Sequence, residues 1–399
     1  MHKAKLSLVA SSIFFLLFSL ANAWAISKPP ASRRQIVPQP LKLDFEVSNR
    51  VGDLSAHEYW SQMQKYRKRS VYGLDIQNHN DISYLLNIYM GADRQKATVV
   101  LDTGSSHLWL MQNDTGFGSF NPSTSSSARK TASNYSSGYA DGTKSLGLYY
   151  EDTFRFFKTD FRGSVTLNDF QFGVVETKAT GMAGILGVAD RVHEKSPELT
   201  NNNLIWALKE AGYIAKASFS LYLNSRTSKY GSVIFGGIDT EKYEDLLAVY
   251  PLDTSIGGLA VRVESIDVDG KQFYAKSSYL LDSGTSLGFV SKEVQDHLDE
   301  LFQPTLVELG GIVYREVGCN QPPNKYFTFD FGSNKVRFSY KDAVSRQGNK
   351  CYLGFTYHNG MQILGDIFLR QAYVYFDLSG KTVSIAQAKY TKSSNVIVA

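Results

Sequence analysis

The amino-acid sequence predicts an all-β protein of two homologous lobes with a site in the cleft between them. Three observations lead there. Short runs rich in aromatic and β-branched residues recur between glycines. Helical spacing is confined to a few segments. A stretch of the first half, centred on Asp102, returns in the second half around Asp282, 180 residues later. With 43% hydrophobic, 20% charged and 13% aromatic residues in 399, the chain can bury a large core, which excludes disorder and collagen-like repeats for most of it.

Residues 1–23 begin with Lys3 and Lys5, continue through an apolar run from Leu6 to Leu20 and end in Ala21-Asn22-Ala23, the pattern of a secretory signal peptide. The alternative, a membrane anchor, needs about 20 apolar residues. The C-terminal stretch from Ala388 lacks the hydrophobic tail of a glycolipid anchor, so no membrane anchor is expected. Residues 24–69 read as a basic propeptide. They contain a Pro-bearing stretch and end in Lys65-Tyr66-Arg67-Lys68-Arg69, where a dibasic-specific processing protease would cut after Lys68 and Arg69. The plainer alternative is a solvated charge run. Eleven of the 42 Lys and Arg but only four of the 38 Asp and Glu lie before Ser70, so the rest of the chain is slightly acidic. A nucleic-acid partner is excluded on that ground, because such a protein concentrates basic residues on its folded part.

From Ser70 the pattern is one of strands: Ile82 to Met90, Ala97 to Leu101, Ser232 to Phe235 and Ala372 to Leu378. Helical spacing appears at Asn203 to Gly212 and Lys292 to Phe302. The expected division is an N-terminal lobe at 70–250 and a C-terminal lobe at 251–399. The only two cysteines, Cys319 and Cys351, lie downstream of a signal peptide and are expected to form one disulfide, the alternative being two buried thiols. Asn113-Asp114-Thr115 and Asn134-Tyr135-Ser136 are glycosylation sequons, a pattern that also arises by chance.

The repeat pairs Val99-Val100-Leu101-Asp102-Thr103-Gly104-Ser105-Ser106 with Tyr279-Leu280-Leu281-Asp282-Ser283-Gly284-Thr285-Ser286. Each half adds a later apolar-Gly segment, Gly184-Ile185-Leu186-Gly187 and Ile363-Leu364-Gly365. Gly104 and Gly284 are expected to permit tight turns with close backbone approach. The hydroxyls of Ser105 and Thr285 can donate to the adjacent carboxylates. If the lobes pack symmetrically, Asp102 and Asp282 meet, and like charges that close share one proton. The ionised carboxylate can then take a proton from water while the protonated one hydrogen-bonds a substrate carbonyl.

These motifs, with Asp102-Thr103-Gly104-Ser105-Ser106-His107-Leu108-Trp109, Tyr139-Ala140-Asp141-Gly142-Thr143 and Ile363 to Arg370, make the chain from about Ile82 to Ala388 resemble the pepsin family of aspartic proteases, above all the secreted fungal candidapepsins. The resemblance implies a bilobal fold, acid endopeptidase activity on proteins and peptides without a cofactor or metal, synthesis as a zymogen, and a secreted or vacuolar monomer. It implies that Asp102 and Asp282 are catalytic and that Thr103 and Ser283 lock the two loops together. It also implies that Tyr139 lies on a hairpin closing over substrate, that Trp109 hydrogen-bonds the Tyr139 hydroxyl, and that Gly142 and Gly284 let the substrate backbone come close. Asp141 would touch the substrate side chain before the cleaved bond and add tolerance for Lys or Arg, or else merely complete a turn with Gly142. The chain departs from the family pattern in having no Cys between Met111 and Asn121, and in Ala140 and Ala183. A serine hydrolase is disfavoured because Ser105 lacks the strand-turn-helix elbow. The competing class is a pepsin-like binding or inhibitor protein without catalysis, which would typically have lost an Asp, the flap tyrosine or a supporting hydroxyl.

Overall fold

The computed structural model describes residues 38–48, 50–51, 54–55, 83–138, 144–157, 164–176, 183–191, 203–309 and 312–399. The segment read as a signal peptide, Lys68, Arg69 and residues 139–143 lie outside them.

Among the described residues thirteen strands join in one sheet. Its first part runs Ala248–Pro251, Thr382–Gln387, Ala372–Asp377, Ser218–Tyr222, Tyr230–Phe235 and Leu41–Ser48. It continues through Ser83–Met90, Gln95–Asp102, Gly184–Gly187, Leu108–Met111, Ser164–Val175, Lys144–Phe157 and Arg129–Gly138. Lys144–Phe157 also pairs with Ser83–Met90, which curls this half of the sheet back on itself. The second half adds a five-stranded sheet holding Ser277–Leu281 and Ile363–Leu364, and two four-stranded sheets. The boundary read at residue 250 falls inside Ala248–Pro251, and the chain returns to the shared sheet after residue 371, so the two halves are stitched together by strands from both.

The sequence periodicity accounts for these elements. Gln95–Asp102 buries Ala97, Val99 and Leu101 on alternate positions, as a strand with one core face must. Leu204–Glu210 forms the first described helix; the Asn203 side chain caps it, accepting from the backbone N–H of Ile205 at 3.1 Å and Trp206 at 3.3 Å. The amide of Asn203 donates to the Ala189 carbonyl at 2.7 Å, tying this helix to the loop after Gly184–Gly187. Lys292–Phe302 is helical over the span expected from its spacing, capped by Ser291 and stopped by Gln303 in the left-handed conformation.

Within the segment read as a propeptide, Leu41–Ser48 forms a strand of the large sheet. Leu41–Ser48 lies antiparallel between Tyr230–Phe235 and Ser83–Met90, with Leu41, Leu43 and Phe45 in the core. Its Leu-Lys-Leu-Asp-Phe-Glu alternation is that of a half-buried strand, so this part of the leader is no solvated charge run. Cys319 and Cys351 form the disulfide, Cα to Cα 5.2 Å, closing a separation of 32 residues. In the chain-entropy account such a loop contributes roughly 3 to 4 kcal/mol. No helix among the described residues is long and apolar enough to cross a membrane.

Candidate active site

Both repeats build the same local topology. Val99–Asp102 runs parallel to Gly184–Gly187, which lies antiparallel to Leu108 and Trp109. Leu280 and Leu281 likewise run parallel to Ile363 and Leu364, which lie antiparallel to Gly288 and Phe289. In each half the loop after the aspartate is wedged against the chain leaving the middle strand. A Cβ at Gly187 would stand 2.6 Å from the His107 nitrogen, and one at Gly365 2.2 Å from the Thr285 carbonyl oxygen, so only glycine fits at either place.

The two loops meet in the interior. Thr103 donates its hydroxyl to the Leu281 carbonyl at 2.8 Å and its backbone N–H to Ser283 Oγ at 3.1 Å. Ser283 returns the pattern, hydroxyl to the Leu101 carbonyl at 3.0 Å and N–H to Thr103 Oγ1 at 2.8 Å. All four bonds are buried, where an unpaired hydroxyl or amide is costly, so the pair fixes the separation of the loops. Each aspartate is then held twice. Asp102 accepts from the Gly104 N–H at 2.8 Å and the Ser105 hydroxyl at 2.5 Å. Asp282 accepts from the Gly284 N–H at 2.8 Å and the Thr285 hydroxyl at 2.6 Å.

The glycines of the motif are required for space and not for a turn of positive φ, which neither adopts. A Cβ at Gly104 would lie 2.5 Å from Asp282 Oδ1, and one at Gly284 2.5 Å from Asp102 Oδ1. Each carboxylate thus presses on the other loop. Both are nearly buried, Asp102 at 6% and Asp282 at 8% exposure. Burial pushes the Asp102 carboxyl up to about 7, and the charge of Asp282 adds to that push.

Asp366 follows Gly365 and opens the short helix Asp366–Leu369; its buried carboxyl is raised well above the usual range by burial, against the opposing pull of Arg370. Asp366, Arg370 and Tyr84 gather behind the Asp282 loop, the Arg370 guanidinium 5.8 Å from the centre of the Tyr84 ring. The four-residue spacing of Asp366 and Arg370 on one helix was the available signal, and sequence reading gave them no role.

Trp109 is buried at 1% exposure, and its indole N–H finds no acceptor among the described residues; Tyr139, its expected partner, lies outside them, as do Asp141 and Gly142. The strands that lead to and from that segment are paired up to Gly138 and Lys144. Asn113 and Asn134 are both exposed. Beside the Asp102 loop a cavity of about 310 Å³ is walled by residues 104–107, 135–138 and 189–191, and by Thr254, Gly257 and Gly258 from the second half.

This geometry agrees with the comparisons. The model of the eukaryotic aspartyl protease family matches residues 83–388. Candidapepsin of Candida tropicalis is 31% identical over 98% of this chain and 99% of its own length. Candidapepsin-3 of Candida albicans (strain WO-1) is 35% identical over 80% of this chain and 82% of its own, and secreted aspartic protease 8 of Candida albicans 33% over 94% and 95%. With the family matched over most of its length and two like loops closing on each other at its centre, the chain belongs to the eukaryotic aspartyl protease family and is an aspartic endopeptidase.

Proposed function

We propose that Asp102 and Asp282 share one proton and hydrolyse peptide bonds through an activated water. The observation that carries this reading is the reciprocal Thr103–Ser283 bonding, which holds two carboxyls face to face while each keeps a backbone N–H and a hydroxyl. The ionised carboxylate takes a proton from water, and the water oxygen bonds to the substrate carbonyl carbon. The protonated carboxyl gives its proton to the carbonyl oxygen, forming a neutral diol. The carboxyl that took the water's proton passes it to the amide nitrogen, the C–N bond breaks, and a diol hydroxyl returns its proton to the carboxylates, which again hold one between them. Retention of both Asp residues and their hydroxyl partners weighs against a non-catalytic binding protein.

Substitution of either aspartate by Asn should lower kcat on acidified denatured protein by at least a thousandfold with the melting temperature retained. The peptide inhibitor pepstatin should block the parent. Activity should peak in acid and fall as pH rises through about 7, where the Asp102 carboxyl gives up its proton. A metal-dependent activity with a neutral optimum would refute the dyad.

The leader is proposed to make the chain a secreted zymogen. The apolar Leu6 to Leu20 run supports export, and the relatives named as secreted proteases support the same destination. The exposed Asn134, on Arg129–Gly138, is proposed to carry a glycan, and Asn113 a second.

A further inference from the structure

We propose that Arg191 makes the cavity beside the Asp102 loop selective for substrate side chains that end in a carboxylate or a carboxamide. The proposal rests on the dyad reading, because that reading places the peptide against Gly104 and Ser105, two walls of the cavity.

Ligand clefts are mostly lined by apolar and aromatic side chains, yet this cavity is faced largely by small and hydroxyl residues, among them Ser136, Ser137 and Thr254. Two charged residues complete it, Asp190 and Arg191, and they differ in what they leave open. The Asp190 carboxylate is 6% exposed and already engaged. It accepts from the Trp206 indole N–H at 2.8 Å and from the Arg191 backbone N–H at 2.7 Å, and pairs with Lys381. It adds no open negative charge.

Arg191 is placed differently. Its guanidinium lies over the Trp206 ring, 4.1 Å from the centroid, and one nitrogen reaches Glu210 at 3.0 Å. Trp206 is itself fixed by Asp190 and by its place in a helix that Asn203 caps. A guanidinium stacked in this way is pre-organised, and its in-plane edge, with five N–H donors in all, suits a planar two-oxygen or amide acceptor. Glu210 is half exposed, so its hold on Arg191 is weak and a substrate carboxylate can compete for the fork. A Lys or Arg side chain in the same cavity would meet like charge.

The test uses the processed enzyme and one peptide scaffold, with Glu, Gln, Leu or Lys placed in turn at each position within three of the cleaved bond, at about pH 5, where a free Glu is mostly ionised. The parent should show one position at which Glu and Gln exceed Lys at least tenfold in kcat/KM. At that position Arg191→Met should lower the Glu value about tenfold and leave the Leu value within twofold, and Arg191→Lys should keep only part of the Glu preference. Glu210→Gln, which removes the competing carboxylate and leaves Trp206 untouched, should raise the Glu-to-Leu ratio. It also serves if the Arg191 variants fail to fold. Absence of any Glu-preferring position, an equal loss on all peptides in Arg191→Met, or an unchanged or lowered ratio in Glu210→Gln overturns the proposal. Asp102→Asn, tested on the same peptides, separates the two readings: full activity there defeats the dyad, whatever residue 191 does.

Discussion

Thr103 and Ser283 hold each other across 180 residues of sequence. What they do is set the distance at which two carboxyls face the opposite glycines. The same logic gives Gly284 a sharper role than turn formation. In Gly284→Ala the added methyl would stand 2.5 Å from Asp102 Oδ1, so the carboxyl must move while the backbone, whose φ suits any residue, stays. Displacement of a reacting group on the ångström scale costs about a hundredfold. We therefore expect kcat/KM to fall by about that factor with the melting temperature little changed. Activity within twofold of the parent would show that the glycine is not there to make room for the carboxyl.

Among the elements, Leu41–Ser48 joins the segment read as a propeptide to the fold. Phe45 packs edge-on against Tyr84 at 5.2 Å and occupies the room that Gly231 leaves, where a Cβ would come within 2.2 Å of its ring. If processing after Arg69 removes this strand, Phe45 matters only in the uncut chain. Mass spectrometry of the secreted product should then give an N-terminus at or near Ser70. Phe45→Ala should cost the uncut chain about 3 kcal/mol in urea unfolding and leave the processed enzyme unchanged. An equal loss in both forms would mean that the strand stays bound after cleavage, and an unprocessed, fully active chain would remove the zymogen reading altogether.

At the scale of the whole molecule, the buried acids set how stability varies with pH. Asp102 and Asp366 bind protons more tightly in the folded chain than in the unfolded one, both through burial. Their contribution is present in full below the ordinary carboxyl range near 4 and is lost as pH rises above it, for Asp102 toward about 7. Asp239 and Asp253 are shifted the other way: Asp253 is lowered to about 2 by the Ser255 and Ser278 hydroxyls, and Asp239 is lowered by Ser394 and nearby backbone amides against the cost of burial. Their contribution is present above about 4 and is lost in stronger acid. The melting temperature should therefore peak between about pH 4 and 5 and fall by pH 7, with Asp102→Asn flattening that fall. A parent chain that gains stability between pH 5 and 7 would contradict this assignment of the buried acids.

Periodicity, the cysteine count and the internal repeat are local, compositional or self-similar signals, and they were legible. They gave the all-β class, the strands at Ala97 and Ala372, both accessory helices, the cysteine pair and the two aspartate motifs. The alternation at Leu41 was equally legible, but the dibasic end at Arg69 drew it into a segment read as discarded. Other features depend on residues far apart in sequence becoming neighbours. Tertiary structure alone placed Asp282 against Gly104 and Lys381 beside Asp190, gathered Tyr84 with Asp366 and Arg370, and stacked Arg191 on Trp206 at the wall of a cavity. The reason is physical: a strand or helix follows from side chains a few positions apart, whereas these contacts depend on how separate elements pack on one another, and no short-range pattern encodes which groups that packing brings together.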